Sequence, residues 1–120
     1  MATLTVQDID LGTGLAPSYV SADAAGDQYA NDGRTYLHIK STHGSAHTVT
    51  VTPVATAIDD PQFGRIVPAA RTFTVAGGAE RILPFFGQAG YNNANNRVAV
   101  TYSAVSGLTV AAIRTPMAQA

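Results

Sequence analysis

Apolar and polar residues alternate with a period of two along most of this chain, and that pattern restricts what it can fold into. Successive side chains of a β-strand point to opposite faces, so strict alternation marks a strand with one face buried and one exposed. The clearest run is Val49 and Val51 set among Thr48, Thr50 and Thr52. Leu37 and Ile39 alternate with Tyr36, His38 and Lys40, and Phe73 and Val75 with Thr72 and Thr74. Val98, Val100 and Tyr102 alternate with Ala99, Thr101 and Ser103, and Leu108 and Val110 with Thr109 and Ala111 before Ile113. The chain opens in the same way, with Leu4 and Val6 among Thr3, Thr5 and Gln7. Arg81 to Phe86 is apolar on both faces, as in a buried strand or one that leaves its sheet at Pro84. Helical periodicity is nearly absent. The best helix candidate, Ala16 to Ala25, has room for a turn or two between Pro17 and Gly26.

Turn residues separate these runs. Asn31-Asp32-Gly33 precedes the Tyr36 run, and His43-Gly44-Ser45, Gly77-Gly78 and Ser106-Gly107 connect later runs. The last three links have the length of hairpins and predict antiparallel neighbours. About seven strands so spaced predict a single all-β domain over residues 1–120, an antiparallel β-sandwich with a barrel as second choice. Residues 116–120 are expected to fray. Three stretches have no place in the sheets on this reading: Asp10 to Asp32, Ala55 to Ala70, and Gly87 to Asn96 with its four asparagines around Tyr91. Long loops in small domains often carry function, so contact residues are expected there.

Composition narrows the function classes. Charged residues make up 12% of the 120 residues, about half the usual share, and net charge is −1. No basic stripe is available for a phosphate backbone, so nucleic acid is not an expected partner. With no cysteine, disulfides and thiolate chemistry are excluded. The opening MATLTVQDID has neither a basic nor an apolar leader region, and no run approaches a membrane span. A product made in the cytoplasm, with no membrane partner, is the expectation.

Candidate chemistry is sparse. His38, His43 and His47 lie close in sequence, but no carboxylate between Arg34 and Ile58 joins them as a metal ligand. Asp8, Asp10, Gly12 and Gly14 imitate the start of a calcium loop, yet Tyr19 stands where its closing glutamate belongs. Asp59-Asp60 before Pro61 reads as turn chemistry. No serine sits in a nucleophile elbow, and Glu80 is the only glutamate. No catalytic, cofactor or metal residue is assigned, and the chain is expected not to be an enzyme. The candidates are contact residues instead: the aromatics Tyr19, Tyr29, Phe63 and Tyr91, the amides Asn92 and Asn93, and Leu4 and Val6 of the first strand.

Three stretches resemble small tailed-bacteriophage capsid decoration proteins, also called cement or auxiliary head proteins. They are Thr3 to Ile9 leading into Gly14 to Tyr19, Asn31 to Lys40, and Asn95 to Arg114. The resemblance covers most of the chain as an overall layout rather than through one motif. It implies a β-rich, non-enzymatic virion protein on the capsid surface, with the major capsid protein as partner and a homo-oligomer, a trimer above all, as the assembled form. It brings no catalytic or ligand residues. The N-terminal strand is a candidate to pair with a neighbour's open sheet edge. The rivals are a phage neck or tail component, a carbohydrate-binding or adhesin module using Tyr91 and the asparagine loop, and a small hydrolase using loop aspartates.

Overall fold

The computed structural model describes residues 1–54, 58–62, 64–67, 69–86 and 88–116. Phe63 and residues 117–120 lie outside the described residues, as do 55–57 of the second long loop.

The chain is an all-β sandwich of two mixed sheets. Its strands are β1 (Ala2–Thr3), β2 (Val6–Asp8), β3 (Val20–Ser21), β4 (Asp27–Ala30), β5 (Thr35–Ser41), β6 (His47–Val51), β7 (Ile58–Asp60), β8 (Gly64–Ile66), β9 (Arg71–Val75), β10 (Glu80–Ile82), β11 (Arg97–Tyr102) and β12 (Leu108–Arg114). One helical turn, α1 (Gln88–Tyr91), precedes β11. Sheet A has the order β1-β4-β11-β6-β9, and sheet B the order β10-β5-β12-β2, with β3 also paired to β12. The β7–β8 hairpin stands apart as its own two-stranded sheet.

The period-two pattern decides which side chains meet between the sheets. Leu37 and Ile39 of β5, Val49 and Val51 of β6, Val98 and Val100 of β11, and Leu108, Val110 and Ala112 of β12 all enter one core. Each fully buried aliphatic side chain contributes about 1.5–3 kcal/mol of transfer free energy. The outward positions of β5, namely Tyr36, His38 and Lys40, and of β6, Thr48 and Thr50, remain at least partly exposed. In β12, Ala111 and Ile113 are buried as well. Segment 14–19 lies over the outside of this strand, held by reciprocal hydrogen bonds: Gln7 Nε2 donates to Ser18 O and Ser18 N donates to Gln7 Oε1, each 2.8 Å.

The short links correct the hairpin expectation. His43-Gly44-Ser45 joins β5 of sheet B to β6 of sheet A, Gly77-Gly78 joins β9 to β10, and Ser106-Gly107 joins β11 to β12. All three are arches between sheets. A gap of about 10 Å between packed sheets is crossed by as few residues as a hairpin needs, so link length alone does not distinguish the two. The antiparallel neighbours are strands distant in sequence: Leu108 to Arg114 pairs with Ser41 to Thr35, and Arg97 to Val100 with Ala30 to Asp27.

Two further expectations change. The Ala16–Ala25 stretch forms no helix and contains β3. The loop assigned to Asp10–Asp32 contains β4, with Asp27 and Tyr29 turned inward. The N-terminal run also differs from a single strand. β1 pairs in parallel with β4 of sheet A, the chain crosses at Leu4 and Thr5, and β2 pairs in parallel with β12 of sheet B. Leu4 is 7% exposed in the core between them. Both halves of this segment are therefore paired within their own chain.

The arches pack against one another, which makes their glycines unequal. A Cβ on Gly107, at φ +69°, would lie 2.9 Å from His43 N, whereas one on Gly78, at φ +74°, would meet nothing within 4 Å. Gly78→Ala is expected to cost about 1 kcal/mol from backbone strain alone, and Gly107→Ala about 1–3 kcal/mol more through the clash. Urea unfolding of both variants measures the difference, and equal midpoints would contradict this account of the arch.

Candidate functional site

The outward face of sheet B carries a cluster of aromatic and titratable side chains. β5 presents Tyr36, His38 and Lys40 in a row, the edge strand β10 adds Glu80 and Ile82, and the overlying N-terminal segment adds Tyr19. Tyr19 OH lies 2.6 Å from His38 Nδ1, and the two rings meet edge to face at 5.4 Å. His38 Nε2 is 3.4 Å from the Glu80 carboxylate, and Lys40 Nζ is 3.7 Å from the same oxygen and 4.7 Å from the Tyr19 ring centroid. A neutral imidazole satisfies this arrangement by donating from Nε2 to Glu80 and accepting the Tyr19 proton at Nδ1. Burial and the nearby Glu80 charge push the Tyr19 phenol above its usual range. The cluster pins the N-terminal segment to the sheet.

Beside it runs an apolar groove. Tyr36, Ile82, Leu83, Pro84 and Phe85 line a hollow of about 470 Å³. Through Tyr36 and Ile82 it adjoins a second of about 290 Å³, between Ile9, Leu15, Pro17, Tyr19 and Ile113. Ile82 is 59% exposed and Phe85 48%, while Leu83 and Phe86 are buried in the core. Tyr36 and Phe85 meet edge to face at 5.9 Å. Large aromatic and aliphatic side chains in such a setting suit a partner's apolar surface.

The opposite face differs in kind. Thr3, Thr48, Thr50, Thr72, Thr74 and Thr101 project from sheet A beside Gln28 and Ala99, and Thr50 stands directly opposite both Thr72 and Thr101. Arg97 is the one charged side chain among the outward positions of β4, β6, β9 and β11.

The residues expected from sequence to make contacts fall into three groups. Leu4 and Tyr29 are core residues, Tyr29 with no exposed surface, and neither offers area to a partner. Burial pushes the Tyr29 phenol far up. Val6 is partly buried against the core. Tyr91 packs on Phe86 at 5.2 Å and donates from its hydroxyl to Ala69 O at 2.8 Å. Asn92 ties its loop to Asn31 of the β4–β5 link, and Asn93 holds its own turn. Asn31 Nδ2 donates to Asn92 Oδ1 (2.8 Å), Asn92 Nδ2 to Asn31 O (2.9 Å), and Asn93 Oδ1 accepts from Asn95 N (2.9 Å) and Arg97 N (3.2 Å). Asn96 takes a left-handed φ of 59° to close the turn. Tyr19 alone lies at the groove, and Phe63 lies outside the described residues. Tyr36, Ile82, Phe85 and the His38–Glu80 pair escaped the sequence reading, although the two-faced apolarity of Arg81–Phe86 carried a sign of them.

The other titratable candidates have local partners. Asp10 Oδ1 accepts from Gly12 N (2.7 Å) and Thr13 N (3.0 Å), which holds its carboxyl below the usual range. His43 and His47 stack at 4.8 Å, and the buried His47 bonds Ser106 O through Nε2 at 2.9 Å. Asp8 is held by both nitrogens of an Arg114 fork, and Arg114 also reaches Asp32 at 3.4 Å.

Comparison with known families, curated proteins and solved structures finds no match to this chain.

The Arg114 hydrogen bonds hold the Asp8 carboxyl below its usual value. A folded pKa below the unfolded one, about 3.9, gives stabilisation fully present above that value and lost as pH falls through the folded pKa. Asp8→Asn is therefore expected to unfold at lower urea than the parent at pH 7, with the gap closing as pH falls through the lowered carboxyl pKa. A gap that stays constant down to acid pH would show that the fork adds nothing.

Proposed function

We propose that this chain is a non-enzymatic structural protein of a tailed-phage virion, which docks on the outside of the capsid and stabilises it. The partner would be the major capsid protein, and the chain would act as a homo-oligomer, a trimer in the first instance. The observation that carries the reading is the apolar groove beside sheet B, where Ile82 of β10 and Phe85 just after it are exposed next to Tyr36 of β5. Adhesion through such an apolar groove needs no chemistry beyond burial of its side chains. The charge-poor composition supports the same reading, since little charge has to be desolvated when such a surface is covered. So does the resemblance of the sequence layout to that of decoration proteins.

The sugar-binding alternative loses its main support, because the Tyr91 hydroxyl and the Asn92 and Asn93 amides bond within the chain. Of the loop aspartates on which the hydrolase alternative drew, Asp8 is bound to Arg114 and Asp10 to its own turn, and the side chains of Asp59 and Asp60 lie outside the described residues.

Co-sedimentation with shells assembled from the major capsid protein tests the proposal. The parent protein is expected to pellet with the shells. Ile82→Asp and Phe85→Asp each should weaken binding by about tenfold or more. Thr72→Asp on the opposite face should bind as the parent does. Because Ile82 and Phe85 are about half exposed, these changes should leave the fold intact by circular dichroism. Failure of the parent to pellet would sink the function, and undiminished binding by both groove variants would sink the groove.

A further inference from the structure

The sandwich has two lateral flanks, and its charges are divided between them. Residues 1–33 hold five aspartates and neither lysine nor arginine, and all seven lysines and arginines lie between 34 and 114. One flank is built from that first stretch. β1 is the edge of sheet A, β2 and β3 line an edge of sheet B, and only two residues separate β1 from β2. The edge strands of the other flank are β9 and β10. The Arg81 side chain spans that flank, with its Nε on Thr74 O at 3.1 Å.

Ion pairing within the chain leaves charge over on each side. Asp8 and Asp32 are bound to Arg114 and Arg34, and Glu80 to Lys40 and His38. Asp27 is buried. Asp10 and Asp23 have no ion-pair partner among the described residues, and neither have Arg71 and Arg81. Asp10 stands in the turn after β2 and Asp23 in the bend between β3 and β4, so both belong to the first flank. Arg71 opens β9 and Arg81 is the middle residue of β10, both exposed on the second. Of the remaining arginines, Arg65 belongs to the β7–β8 hairpin and Arg97 to the outward face of sheet A.

The charges also come in the same order along the strands. Ala22 N donates to Leu108 O, which puts Asp23 beside the start of β12, at the end where the arches pack. Asp10 follows β2, which ends against Arg114 at the far end of β12. On the other flank Arg81 reaches Thr74 near the arches, and Arg71 pairs with Val51 at the far end. A rotation about an axis along the strands brings unlike flanks together with their ends kept. It sets Asp23 against Arg81 and Asp10 against Arg71. A twofold contact between like flanks would oppose arginine to arginine or aspartate to aspartate.

We propose that copies of this chain associate flank to flank, the β9–β10 edge of one against the aspartate-bearing edge of the next, and close into a ring. The molecule measures 45 × 39 × 22 Å, and a flank of 39 by 22 Å presents about 800 Å², the share of one partner in a standard interface. Val20 of β3, 52% exposed, adds apolar area on the acidic side. Charge sets orientation and partner choice, while burial of the flanks supplies the affinity. The inference rests on the homo-oligomer of the proposed function and names its interface.

Sedimentation velocity of the full chain without shells is the test. An oligomer is expected at about 0.05 M sodium chloride, with association weaker by about tenfold or more at about 0.5 M. Arg71→Glu combined with Arg81→Glu should weaken self-association by about tenfold or more, as should Asp10→Lys combined with Asp23→Lys. Mixed in equal amounts, the two double variants should associate with each other, which mere damage to either fold would not produce. Circular dichroism checks the folds. Asp10 and Asp23 also accept from Gly12 N and Ala25 N, so if the aspartate variant unfolds, the arginine variant and the salt series carry the test. A monomeric parent at low salt, parent-like association of the folded arginine variant, or no association between the folded variants would overturn the proposal. Self-association without pelleting on shells would sink capsid docking alone, and pelleting by a monomer would sink the ring alone.

Discussion

The inward faces of the two sheets cannot be buried separately. Val49, Val51, Val98 and Val100 on sheet A need Leu37, Ile39, Leu108 and Val110 on sheet B, and none of these eight is more than marginally exposed once the faces meet. The chain passes repeatedly from one sheet to the other, through 31–34, 42–46, 76–79 and 103–107, so both faces are assembled together. The tight arches, the packed glycines and the long-range pairing of β5 with β12 all depend on this mutual cover. With so many neighbours distant in sequence, the topology predicts slow closure relative to a meander of hairpins.

Much of the fold was legible in the residues. Alternation placed β5, β6, β9, β11 and β12 correctly and named most of the core. It could not say which sheet a strand joins, because an arch and a hairpin use the same few turn residues. β4 was missed for a specific reason: its inward positions are Asp27 and Tyr29, and an inward carboxylate erases the apolar beat of a half-buried strand. The asparagine loop misled in the opposite direction. Amides that look available for a ligand in sequence are consumed within the chain, Asn92 by the backbone of Asn31 and Asn93 by that of its own turn. The groove was obscured because Arg81–Phe86 reads equally as a buried strand, and only the structure separates inward Leu83 and Phe86 from outward Ile82 and Phe85.

The sandwich gives the molecule two unlike outer surfaces. Sheet A presents threonine hydroxyls that water solvates well, and sheet B presents aromatic rings and an ion cluster beside an apolar hollow. Edge protection differs as well. Arg81 Nε donates to Thr74 O at 3.1 Å, linking β10 to the outer edge of sheet A, and β10 itself is short and followed by Pro84. Charged residues, brevity and proline all discourage a foreign strand from adding there.

The parallel pairing of β2 with β12 has a mechanical consequence. Val6 to Asp8 lies beside Ala112 to Arg114, running the same way, with the Arg114 fork fastened to Asp8 at the end of the overlap. Tension applied before Val6 and after Arg114 would drag these two strands past each other. Their hydrogen bonds would then share the load together instead of opening one by one like a zip. A segment that reads in sequence as an unremarkable first strand thus gives the sandwich its resistance to being pulled apart lengthwise.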